Sequence, residues 1–224
     1  MKVIQRIFSF PFVPFPRLEA MIQIKSYPVT FDEFIDWYPD DSEHRYELHN
    51  GVIIEMPKPK GKHSEIAGFL ALELGLQCRS SQVSCFIPKE CVVKPFRDQS
   101  GYEPDVIVCD RINISNEPRW ETSSVITIGS SVRLIVEVVS SNWRDDYLLK
   151  AGDYEEMGIP EYWIIDYMGI GGRRFIGNPK QPTISVYQLI DSEYQISQFR
   201  GDTRIESPAF TQLNLTANRI FSQA

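Results

Sequence analysis

Hydrophobic residues recur along this chain at two spacings, and the spacing changes from segment to segment. Ile66, Leu70 and Leu74, with Ala67 and Ala71 beside them, fall at helical intervals. They predict a long amphipathic helix from Ser64 to about Cys78. TISVYQL and YQISQFR, near the C-terminal end, alternate with period two and predict an antiparallel pair. RLIVEVV is apolar on both faces, as a central strand covered on both sides must be. SSNWRDDYLLKAGDYEEMG then reads as a helix. A serine can cap its start, Gly158 suits a left-handed C-terminal position, and Pro160 bars continuation. EYWIIDY is the next strand. Strand, helix and strand within about 35 residues make a right-handed crossover with parallel strands.

Local signals fill in the rest. Thr30 and Glu33 form a capping box, which predicts a short helix over about 31–38. Asn50-Gly51 between two strand-like runs predicts a tight hairpin, because a type I′ turn needs positive φ at both positions. PKPKGK at 57–62 is a loop. VSCFIPKECVVKP reads as a strand or a bent pair, and YEPDVIVCD as a strand entered through a proline. Residues 110–132 are polar and irregular, a long loop by this reading. A short apolar tail ends in Ile220-Phe221. The economical fold class is one α/β domain: a mixed central sheet flanked by helices, an N-terminal helix and hairpin before it, and C-terminal antiparallel strands after it.

Composition narrows the function. The chain has 224 residues, is 42% hydrophobic and 24% charged, and carries a net charge of −7. Those are the proportions of an ordinary globular protein. A nucleic-acid partner would need a local basic patch or a bound cation. Cys78, Cys85, Cys91 and Cys109 form no C-x-x-C pair and are read as buried free thiols in a reducing cytoplasm. Lys2 and Arg6 start a segment that Pro11, Pro14 and Pro16 interrupt, so residues 1–20 read as a disordered extension, with Met21 the expected start of a single domain over 21–224. No apolar run is long enough to span a membrane, which gives a cytoplasmic expectation.

Two predicted strands carry acids among apolar neighbours. Asp105 opens the run Val106, Ile107, Val108, and Glu137 interrupts LIVEVVS. A carboxylate buried without a partner is costly. On adjacent strands the two could share a face, where they would repel and resist joint ionisation. A divalent cation neutralises both, and oxygen ligands of this type suit Mg²⁺ or Mn²⁺. The crossover returns the next helix over the sheet, with Asp146, Lys150 and Tyr154 on one face. An ammonium there can orient a water and stabilise charge on a phosphate.

These residues resemble the PD-(D/E)XK nucleases, in which an aspartate opens one strand, E-x-K follows on the next, and a further glutamate often lies upstream. Pro104-Asp105 matches the first element. Glu137-Val138-Val139 matches the second except at the lysine; some members carry that lysine on the following helix, where Lys150 stands. The ordered series Glu47-Leu48, Gly51, Met56, His63, Pro104-Asp105, Glu137 to Ser140, Lys150, Tyr154, Gly158 and Pro160 to Trp163 is similar to the Uma-two family of restriction-endonuclease-like proteins, over roughly residues 28 to 220. The resemblance implies a restriction-endonuclease-like core and a metal-dependent endonuclease acting on DNA. By it, Asp105, Glu137 and the carbonyl of Val138 hold Mg²⁺ or Mn²⁺, Glu47 assists, and Lys150 positions the attacking water. Glu65 is the alternative to Glu47 as the upstream acid. His63 reads as a supporting or phosphate-binding group, Tyr154 as packing, and Lys58, Lys60 and Lys62 as a small basic loop beside the site. Cutting both strands leads one to expect a two-fold homodimer. RNA or a nucleotide is the alternative substrate. A nuclease fold that binds nucleic acid or protein without cutting is the alternative function.

Overall fold

The computed structural model describes residues 2–3, 27–39, 44–80 and 83–223. Of the expected N-terminal extension it describes only Lys2–Val3, which form strand β1; Met21 and the rest of that expectation lie outside the described residues. Helix α1 (Phe31–Trp37) is held at its start by the capping box: Thr30 Oγ1 accepts from the Glu33 amide at 3.3 Å, and Glu33 Oε2 accepts from the Thr30 amide at 2.8 Å. Strands β2 (Arg45–His49) and β3 (Val52–Met56) form the hairpin, with φ of 50° at Asn50 and 80° at Gly51. β1 pairs antiparallel with β3. Helix α2 (Gly61–Ser80) follows and buries Ile66, Leu70 and Leu74, the stripe that its spacing predicts.

Strand β4 (Cys85–Phe86) leads to β5 (Val92–Val93) and β6 (Val106–Asp110). After β6 come helix α3 (Trp120–Ser123) and strand β7 (Val125–Ile126). Strand β8 (Val132–Val138), helix α4 (Ala151–Glu156) and strand β9 (Glu161–Asp166) make the crossover unit. The chain finishes with α5 (Arg173–Ile176), β10 (Thr183–Ile190), β11 (Glu193–Phe199) and α6 (Ala217–Phe221). The main sheet has the order β11-β10-β9-β8-β6-β4. Within it β8 and β9 are parallel and every other pair is antiparallel, so the central sheet is mixed.

Alternation along the central strands divides the core into two layers. Leu134, Val136 and Trp163 face α2 and the C-terminal segment, against Leu70, Leu213 and Ile220. Ile135, Tyr162 and Ile164 face the crossover helix, against Tyr147 and Tyr154. The crossover therefore brings its helix over the face that carries Glu137.

Four local expectations are corrected. The segment read as one strand or a bent pair divides between two sheets, because β5 leaves the main sheet and pairs parallel with β7. The polar stretch 110–132 is more ordered than a loop: buried Glu117 accepts from Thr127 N at 2.9 Å and Ile128 N at 2.9 Å and ties the segment down through backbone donors that hydrophobic spacing does not register. The crossover helix starts late. Asp145–Lys150 is a π-helical turn, α4 follows it, and no serine side chain caps the start. The wider turn lets Asp146, Tyr147 and Lys150 all face inward. Finally, Cys78 and Cys85 are joined as a disulfide, with Cα atoms 5.4 Å apart where the chain reverses from α2 into β4; Cys91 and Cys109 are free and buried. The reading of four free thiols fails at that pair, and with it the compartment argument from cysteine usage.

Candidate active site

Strand register sets the first two acids. Val106 pairs with Val136 and Ile107 with Ile135, so Asp105, one residue before β6, stands across from Glu137 on β8. Asp105 Oδ2 accepts from the Val138 amide at 2.9 Å and lies 3.2 Å from His63 Nε2. Its Oδ1 lies 3.7 Å from Arg45 Nη1. His63 belongs to the first turn of α2, so that helix start abuts the end of the β6–β8 ladder.

Lys150 comes from the π-helical turn and is only 3% exposed. Its Nζ donates to Glu137 Oε1 at 3.0 Å and to Glu47 Oε1 at 3.0 Å, and lies 3.9 Å from Asp146 Oδ1. Tyr154, one helical turn further on, donates to the same Glu137 oxygen at 3.2 Å. Val139, at the position where E-x-K would carry lysine, is fully buried in the same apolar layer as Tyr154. Packing fills that place, and the amine arrives from the next element instead.

Glu47 is fully buried and fully partnered. Its Oε1 also accepts from the Glu103 amide at 3.0 Å, and its Oε2 lies 2.7 Å from His49 Nε2. Glu103 in turn takes a hydrogen bond from Tyr38 and is bonded by Arg45 Nε at 2.8 Å. Among the acids expected upstream, Glu47 is the one joined to Lys150; Glu65 is exposed on α2. Sequence reasoning missed Arg45, His49 and Glu103. Their signal was present for the first two: R-Y-E-L-H places Arg45, Glu47 and His49 at period two on one strand. Glu103 had no comparable mark.

More carboxylates than cations are buried here, and the ionisations show it. Burial, with Asp105 and Glu47 close by, pushes the Glu137 carboxyl up to about 7 despite Lys150. Burial and Glu137 likewise hold Asp146 well above the ordinary carboxylate range. Burial also works against ionised Glu47, but Lys150 and His49 outweigh it and hold that carboxyl at about 2. Asp105 is lowered for the same kind of reason: burial opposes its charge, while His63, the Val138 amide and Arg45 favour it. Lys150 is raised, because Glu137, Glu47 and Asp146 outweigh the burial of its ammonium.

The lineage is decided over nearly the whole chain. A family model described as "Putative restriction endonuclease", Uma2, matches residues 31–218. The chain belongs to this family. No curated protein matches it. Among solved structures it is similar to one described as "a putative nuclease belonging to DUF820" from Anabaena variabilis ATCC 29413, at 23% identity, covering 88% of this chain and 99% of that one with a TM-score of 0.66. That likeness is one of fold.

For a Uma2 chain the question is then whether these residues suit a divalent cation. Among the described residues no three His, Cys, Asp or Glu side chains form a metal cluster. Mg²⁺ does not need one, since it binds through one or two carboxylates and keeps several waters. Asp105 and Glu137 supply two carboxylates across one strand pair, and the Val138 amide donates to Asp105 at 2.9 Å beside them. The upward displacement of Glu137 and Asp146 marks a local deficit of positive charge that a divalent cation would relieve.

Proposed function

We propose that this Uma2 protein is an endonuclease that hydrolyses phosphodiester bonds in DNA with Mg²⁺, or Mn²⁺ in its place. The observation that carries the reading is the Lys150 ammonium held at 3.0 Å from both Glu47 on β2 and Glu137 on β8, where the β6–β8 register sets Asp105 across from Glu137. Asp105, Glu137 and the Val138 carbonyl would hold the metal. When bound, the metal supplies Lewis acidity and screens charge on the phosphate oxygens. Lys150 would hold the attacking water by donating a hydrogen bond to it and stabilise negative charge as the water oxygen bonds to phosphorus. In that step the phosphorus–oxygen bond opposite would break, the attacking water would lose its proton to solvent, and the departing oxygen would take one up from solvent as it leaves as a hydroxyl. Glu47 keeps Lys150 protonated and aimed, and Tyr154 fixes the Glu137 carboxylate. His63 and the Val138 amide do the same for Asp105.

A binding module that does not cut is the reading that Val139 alone would favour. Lys150 beside the acids favours cutting. The test is incubation of purified protein with supercoiled plasmid, linear DNA and RNA, each with Mg²⁺, Mn²⁺ or a chelator. Plasmid nicking that requires metal is expected. Nicking undiminished by the chelator would contradict the metal, cutting of RNA alone would contradict the substrate, and binding without cutting would favour the module.

A further inference from the structure

We infer that the PKPKGK segment, residues 57–62, is an arm that grips the phosphate backbone of the DNA strand presented to the acidic centre; this rests on the nuclease reading above. The chain as a whole carries −7, and its candidate centre concentrates buried carboxylates. A polyanion reaches such a centre only past a compensating local cation source. Lys58, Lys60 and Lys62 are all exposed. Among the described residues the lysines in ion pairs are Lys89, Lys94 and Lys150, so these three present unneutralised ammonium groups.

Their placement gives the cluster its meaning. Lys62 immediately precedes His63, whose Nε2 is 3.2 Å from Asp105 Oδ2, so the arm enters the molecule at the candidate centre. Residues 57–60 adopt no helix or strand, and Pro57 and Pro59 alternate with the lysines. Proline fixes φ and keeps the residue before it extended, which limits the arm's freedom before anything binds. Lys58 and Lys60 are at most about 7 Å apart along the extended stretch, about two nucleotide steps at about 3.4 Å each, and Lys62 follows in the first turn of α2. Lysine binds phosphate as a point charge without reading sequence, so the contact made is to the backbone and not to base edges.

The test is fluorescence anisotropy with a labelled duplex of about 20 base pairs, in Ca²⁺, over salt from about 50 to about 200 mM. The variants are the triple Lys58→Gln/Lys60→Gln/Lys62→Gln and the charge-matched pair Lys60→Glu and Arg79→Glu. Arg79 is exposed near the far end of α2, about 24 Å from His63 along the helix. The triple variant is expected to bind about tenfold or more weakly, with a slope of log affinity against log salt shallower by about 2.7. Lys60→Glu is expected to weaken binding strongly and Arg79→Glu very little. If wild type binds and cleaves DNA while the triple variant keeps its affinity and slope, or if the two Glu variants weaken binding equally, the arm is refuted and the nuclease reading stands. If wild type neither binds nor cleaves DNA, both fall.

Discussion

Lys150 is the residue on which three acids depend. Replacing it by methionine would leave Glu47 and Glu137 buried without their shared counter-ion. Removing one member of a buried charge cluster typically costs about 3–5 kcal/mol, so Lys150→Met should lose about that much stability in denaturant titration, and a loss under about 1 kcal/mol would show the cluster to be slack. Glu137 carries the pH dependence. Its folded carboxyl titrates at about 7, above the ordinary 4.5. The proton is therefore favoured by the fold: stability from this group is full below the unfolded value and is lost as pH rises through 7. A cation must displace that proton, so Mn²⁺ affinity measured by calorimetry should fall about tenfold per pH unit below 7 and level off above it. An affinity flat from pH 5 to pH 8, to take a range of about three units, would contradict the assignment of Glu137 as ligand. At this scale the acids and the lysine were legible, because charges inside apolar runs and on an inward helix face stand out. His49 was equally available from its spacing to Glu47. Glu103 was not, because its role is a backbone amide that donates to Glu47, and no side-chain pattern encodes that.

The elements that matter are β8, its return helix and the strands beside it. Apolar runs located the strands, and capping and stop signals located the return helix. What they could not show was how the return helix begins. A π-helical turn leaves the apolar pattern intact while rotating which residues face inward, and Lys150 lies at its last position. Residues 110–132 escaped for the opposite reason, since buried Glu117 and not an apolar stripe organises them. Close packing between elements gives a separate test. A methyl group at Gly129, just before β8, would lie 2.0 Å from the Met157 carbonyl oxygen at the end of the return helix. Both partners are backbone, so relief requires the helix to move away from the strand that carries Glu137. Gly129→Ala should cost about 2 kcal/mol or more and lower the melting temperature by about 4–8 °C. An unchanged melting temperature would mean that this junction is loose.

For the whole molecule, the fold class followed from the order of elements, and the mixed sheet with its parallel central pair agrees with it. The disulfide between Cys78 and Cys85 did not follow, because sequence spacing does not reveal which cysteines a chain reversal brings within reach. On the proposed activity, one centre would cut one strand at a time. Cutting both strands of a duplex needs two centres, so a two-fold dimer is expected. Light scattering should give twice the 25.8 kDa of one chain, and a monomer mass at all concentrations would exclude that assembly. The proposed chemistry needs Asp105, Glu137 and Lys150 acting together. Its most direct test is the nicking of supercoiled plasmid in Mg²⁺ by wild type, Asp105→Ala and Lys150→Ala side by side. Wild type should nick, and both variants should fall at least about a hundredfold, the equivalent of about 3 kcal/mol of transition-state stabilisation. Nicking that survives undiminished in Asp105→Ala would contradict the centre outright.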